Sequence, residues 1–119
     1  MHVTRFAQAQ EYQAPNHFDM RCLRLQGHAA SETRQMWMGL SLIAPGGHTG
    51  LDGSPIEKLY FVVEGELRVV GETATGERTS HLLSVRDSCV FLPGEKRQLV
   101  NESDQPAAVL LVMANAPPQ

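Results

Sequence analysis

Glu57-Lys58-Leu59-Tyr60-Phe61-Val62-Val63-Glu64-Gly65-Glu66-Leu67 decides the fold of this chain. Lys58, Tyr60 and Val62 alternate with Leu59, Phe61 and Val63, the two-residue period of a strand whose faces meet different surroundings. Glu64-Gly65 then supplies a tight turn, because glycine takes positive φ without steric cost, and Leu67, Val69 and Val70 resume an extended run. The segment is a strand-turn-strand unit.

Working outward, extended runs recur with turn signals between them. Phe18 to Gln26 alternates around Met20, Cys22 and Leu25, and Met36 to Ile43 follows the polar stretch Gly27 to Arg34. Ala44-Pro45-Gly46-Gly47 is read as the end of that strand, with a polar loop from there to Pro55. Beyond Val70, a hairpin loop carries Gly71 and Gly76. Strands are then expected at Arg78 to Leu83, Ser88 to Leu92, Arg97 to Val100 and Ala107 to Met113, the last three separated by Pro93-Gly94 and by Asn101 to Pro106. A short helix is expected around Thr4 to Tyr12, and both ends, Met1 to Pro15 and Ala114 to Gln119, read as poorly anchored. Many short strands, Gly/Pro punctuation and no long helical pattern argue for an all-β sandwich or barrel. An antiparallel jelly roll of this kind can enclose a small molecule between its two sheets.

At 119 residues and 42% hydrophobic content, the chain can bury one core, so residues 1–119 are expected to form a single domain. A formal charge of -3 with no dense basic run excludes a nucleic-acid footprint. Met1 to Gln13 lacks the pattern of a signal peptide, and no apolar run reaches the roughly 18 residues that span a bilayer, so a soluble, cytoplasmic protein without a membrane partner is expected. Cys22 and Cys89 lie in apolar, strand-like surroundings and read as buried free thiols.

These residues together resemble the cupin superfamily, over roughly Pro15 to Met113, in its small single-domain form with a dTDP-sugar-epimerase-like jelly roll. Ala44-Pro45-Gly46-Gly47 looks like the opening of the first cupin motif and Gly65 like its closing glycine. Arg86-Asp87-Ser88, Pro93-Gly94 and Asn101 look like the second motif. The resemblance implies an antiparallel double-stranded β-helix, the cupin jelly-roll barrel, and a homodimer in which the N-terminal segment takes part. It also implies where metal ligands would stand. The glutamate position holds Lys58; the histidine pair falls on Ser54 or Gly53 and on Asp52 or Leu51; the second-motif histidine falls on Arg97 or Gln98. Lys and Arg are donors at neutral pH with no lone pair for a divalent cation, so no standard metal centre and no cofactor are expected.

The same resemblance turns Lys58 and Arg97 toward the cavity, where two fixed cations preserve positive potential and suit a small organic anion, aliphatic or aromatic. Tyr60 shares the Lys58 face and can orient a ligand through its hydroxyl. His17, just before the first long strand, and His48, in the Gly-rich loop, are further candidate ligand-binding residues. Trp37, Met36, Met38 and Phe91 read as pocket lining or as core. The competing structural reading pairs Lys58 and Arg97 with Glu57, Glu64, Glu95 or Asp104 as rim ion pairs. The competing functional reading is a small cupin enzyme, an isomerase, cyclase, lyase or dioxygenase. It would use either a displaced metal site from His17, His48 and Glu57 or metal-free acid-base chemistry on His17 or Tyr60. No serine triad or phosphate loop is present in the pattern.

Overall fold

Lys58–Glu64 is a strand whose side chains divide as its alternation requires: Lys58, Tyr60 and Val62 are buried, whereas Leu59, Phe61 and Val63 are exposed. In the computed structural model, which describes residues 1–116, it is the fifth of ten strands. These are β1 (Gln10–Tyr12), β2 (His17–Gln26), β3 (Met36–Thr49), β4 (Asp52–Gly53), β5 (Lys58–Glu64), β6 (Leu67–Glu72), β7 (Arg78–Leu83), β8 (Ser88–Phe91), β9 (Lys96–Val100) and β10 (Ala107–Ala114). Every pairing is antiparallel, and the hydrogen-bonded order β7-β6-β9-β3-β10-β5-β8 makes a nearly closed barrel of the expected all-β jelly-roll kind. β2 covers the other edge of β3, with β1 beyond it, and β4 pairs with β9.

Two corners fold this path. At the first, β5 pairs with β10 and β8 while β6 pairs with β7 and β9, so the turn at Gly65 carries the chain from one sheet to the other. Gly65 has φ of 72°, and a Cβ there would stand 2.5 Å from the Pro106 carbonyl oxygen, which leaves glycine as the residue that fits.

The second corner corrects the expected strand end at Ala44-Pro45-Gly46-Gly47. β3 does not stop there; it bends and changes partner, pairing with β10 up to Ile43 and with β9 at His48. The missing Pro45 N–H and the positive φ of Gly46 suit a bend, at which ladder bonding is interrupted anyway. Asn101 clasps it. The residue is fully buried, and its Nδ2 donates to the carbonyls of Ile43, Ala44 and Gln105, while its backbone bonds to Gly46 and Gly47.

The N-terminal segment also differs from expectation. Thr4 to Tyr12 holds one 3-10 turn, Phe6–Gln8, and then strand β1, which is paired with β2 of the same chain. Met1 to Pro15 is therefore anchored through Gln10–Tyr12: Tyr12 packs edge-on against Trp37, and the Arg24 guanidinium lies 3.6 Å from the Tyr12 ring centroid. At the other end, β10 runs to Ala114, and Pro117 to Gln119 lie outside the described residues. Between the sheets sits one core, in which Ile43, Val62, Leu67, Leu99 and Val109 are nearly or fully buried. Cys22 and Cys89 are free thiols as expected, Cys22 buried and Cys89 half-buried.

Candidate functional site

The inward face of β5 ends the apolar core and begins something else. Val62 is packed in the core, Tyr60 stands edge-on to Phe91 at its margin, and Lys58 opens on a cavity of about 440 Å³. β9 brings Arg97 to the same wall, and β4 brings Asp52 directly opposite Arg97 in register. His17 enters from the start of β2, and Trp37 and Tyr12 form an aromatic side.

Lys58 and Arg97 are only 5% and 8% exposed, and among the described residues neither forms an ion pair. The rim carboxylates are engaged or turned elsewhere: Glu95 accepts the Leu92 N–H, and Glu57 is exposed. The rim ion-pair reading therefore gives way. Lys58 Nζ donates to Ser54 Oγ at 3.2 Å; Arg97 Nη1 makes a long bond of 3.4 Å to the Gly50 carbonyl, and Arg97 Nε is buried with no partner. Burial holds the Lys58 pKa below the ordinary lysine value, and the Arg97 charge lowers it further, against a smaller opposing pull from Asp52.

His17 Nδ1 lies 2.7 Å from the Pro15 carbonyl oxygen. A carbonyl only accepts, so the Nδ1 proton is fixed there and Nε2 is left as an acceptor on the cavity wall. Burial lowers the His17 pKa; the Pro15 bond opposes that, and the Arg97 charge adds to it. The imidazole is thus neutral at pH 7. Burial pushes the Tyr60 hydroxyl up to about 12, only partly offset by Arg97, so it is a neutral donor. Asp52 accepts from the Asn16 amide at 3.0 Å and makes no ion pair with Arg97 across the ladder.

Of the five residues singled out in the sequence, Lys58, Tyr60, Arg97 and His17 line this cavity and His48 does not. His48 stacks on Phe18, with ring centroids 5.0 Å apart, because β3 has turned its corner before reaching it. With His48 on that stack and Glu57 exposed, the displaced set His17, His48 and Glu57 is not gathered at the cavity. The usual ligand positions, in contrast, do converge: Asp52, Ser54, Lys58 and Arg97 all line it, while Leu51 does not and Gln98 bonds to the Thr49 carbonyl. Two of those four are cationic donors, a set that does not fit a divalent metal, and no group of three or more His, Cys, Asp or Glu comes together among the described residues. Trp37 joins the lining, whereas Phe91 belongs to the core and Met36 is exposed. Tyr12 and Asn16 were missed, since the segment carrying them has no strand alternation long enough to read.

A jelly-roll barrel with its polar residues gathered at one end of an apolar core is the arrangement of a cupin. The chain belongs to that family: the Cupin domain family model matches residues 39–113. Over 97% of its length it is 37% identical to a Mycobacterium tuberculosis (strain ATCC 25618 / H37Rv) protein named beta-D-galactosidase Rv1717, covering 95% of that protein. Among solved structures, the polyketide cyclase RemF from Streptomyces resistomycificus superposes with a TM-score of 0.82 at 16% identity, over 99% of this chain and 82% of that one. An RmlC-like cupin from Shewanella frigidimarina NCIMB 400 gives 0.77 at 16% identity, over 98% and 92%. At such identities the two structures speak for the fold alone. No helix among the described residues is long and apolar enough to cross a membrane.

Proposed function

We propose that this cupin binds a small organic anion in the barrel cavity, with Arg97 and Lys58 as its charge partners and Tyr60 beside them. One observation carries the reading: among the described residues neither of two nearly buried cations facing one cavity forms an ion pair, although Asp52 lines the same wall, and Arg97 Nε has no hydrogen-bond partner. An unpaired buried charge costs several kcal/mol, and a bound carboxylate relieves that cost by pairing with the guanidinium edge. Calorimetry against aliphatic and aromatic carboxylates tests it. Arg97→Gln should weaken binding roughly tenfold to more than a hundredfold, since a hydrogen bond to a charged group is worth about 1.5 to 3 kcal/mol. Its melting temperature should not fall below that of the wild type, because the substitution removes a nearly buried charge that has no ion pair. Equal affinity of the two proteins, or no carboxylate binding by the wild type, overturns the reading.

The name of the mycobacterial relative supports a second reading, hydrolysis of a β-galactoside. Glycoside hydrolysis ordinarily uses two carboxyl groups, one to protonate the leaving oxygen and one to attack or to activate water. Asp52 is the one carboxylate lining the cavity among the described residues, so such a reaction would have it attack, with the Tyr60 hydroxyl giving a proton to the leaving oxygen and neutral His17 taking one from the water that follows. Release of nitrophenol from nitrophenyl β-galactoside, lost in Asp52→Asn, is the expected result. No release by the wild type sinks this reading and leaves the anion site standing.

A further inference from the structure

The geometry points to a monosaccharide acid, a hexuronate, as the anion: its carboxylate on Arg97 and Lys58, and its ring hydroxyls on Asp52 and His17. This inference rests on the anion reading and deepens it. A plain carboxylate would account for the two cations but not for the rest of the wall. Asp52 stands opposite Arg97 in register, yet it takes an amide hydrogen from Asn16 instead of pairing with the guanidinium, so an acceptor carboxylate stays beside the donors. A ligand bearing only negative charge would be repelled by it.

His17 adds a second acceptor, because its Nδ1 proton is tied to Pro15 and Nε2 carries the lone pair. The polar wall thus has a donor part, Arg97 and Lys58, and an acceptor part, Asp52 and His17. The ligand that satisfies both is an acid at one position and a hydroxyl donor at others. Trp37 and Tyr12, set edge-on to each other at 84°, give the cavity an aromatic side against which sugar C–H groups pack. Arg97 is more than nine-tenths buried, with Nε unpartnered and Nη1 on one long bond to the Gly50 carbonyl, so an undersatisfied guanidinium lines the cavity and suits a planar carboxylate better than a neutral hydroxyl. A cavity of about 440 Å³ accommodates one such ring and is at the small end of ligand sites.

The test is calorimetry of the full chain with galacturonate, glucuronate, galactose, succinate, benzoate and galactose 1-phosphate. A hexuronate should bind at least tenfold more tightly than galactose and than either simple carboxylate. Asp52→Asn should then weaken hexuronate about fivefold, the difference between a charged and a neutral acceptor, while binding benzoate and succinate more tightly than the wild type does. His17→Gln should likewise weaken hexuronate more than benzoate. Succinate or benzoate binding as tightly as both hexuronates overturns the sugar-acid inference and keeps the anion site. A preference for the phosphate ester overturns it too. Failure of every anion to bind overturns both.

Discussion

Lys58→Met separates stability from binding. The lysine is 5% exposed, its amine has one hydrogen bond, to Ser54 Oγ, and the Arg97 charge acts on it more strongly than that of Asp52. Methionine keeps the unbranched stem that packs against the barrel and removes the charge. Apolar replacement of buried ions ranges from neutral to a gain of a few kcal/mol; with no ion pair to Lys58 here, a gain of about 1 to 2 kcal/mol is expected. For a domain of this size that raises the melting temperature by roughly 4–8 °C. Carboxylate affinity should move the other way, falling about tenfold to a hundredfold with the loss of a charge-assisted bond. Differential scanning calorimetry without ligand and titration calorimetry with it, on the same samples, read both numbers. A lower melting temperature with unchanged affinity would refute the reasoning, because it would show that Lys58 stabilises the fold and does not serve a ligand.

Three further outcomes are expected. Because the free protein holds the Lys58 pKa below its ordinary value and an anion favours the charged amine, binding should take up protons between those two values. Affinity should therefore fall as pH rises through that interval; titrations in two buffers of different ionisation enthalpy read the uptake, and none at any alkaline pH contradicts the assignment. Asn101→Ala should cost about 2–4 kcal/mol in denaturant unfolding, since it leaves the Ile43, Ala44 and Gln105 carbonyls without their donor at the β3 corner; a loss below about 1 kcal/mol would show that the clasp is dispensable. The protein should be a homodimer through the outer face of β5, β8 and β10, where Leu59, Phe61 and Val90 stand exposed beside Leu110 and Val112. Light scattering should give twice the chain mass, reduced to the single mass in Phe61→Asp, and a monomeric wild type at high micromolar concentration removes the proposal.

The fold was legible wherever side-chain period and turn chemistry agreed. The alternation from Lys58 to Val63 assigned both faces of β5, and Pro93-Gly94 and Asn101 to Pro106 bounded β9 and β10 within a residue. Pro45-Gly46-Gly47 misled because local turn chemistry does not distinguish a strand that ends from one that turns a corner; the long-range clasp by Asn101 decides which. Gln10–Tyr12 misled for a related reason, as three residues carry too little period to reveal an edge strand held by tertiary contacts. At the site, counting along the motifs located Lys58 and Arg97 and offered Asp52 and Ser54 as alternatives, but only the β4–β9 register selects among them. Tyr12 and Asn16 reach the cavity through the N-terminal connection, which no spacing in the sequence could indicate. His48 was placed by its loop, and the bend of β3 carries it to the outside.

The two-sided strand β5 makes this gene segment tolerant of one kind of change and intolerant of another. Substitutions can be absorbed singly, but lengths cannot: one codon gained or lost between Val63 and Gly65, with the Gly65 corner held in place, shifts the register of Lys58–Val63 by one. Leu59, Phe61 and Val63 would then turn into the barrel, and the cation and the tyrosine would turn out to solvent, so ligand site and outer surface would fail together. Variation among related chains should therefore appear as residue exchange along Lys58–Glu64. Length variation should collect in the hairpin around Thr75 and Gly76, where a Cβ at Gly76 meets nothing within 4 Å.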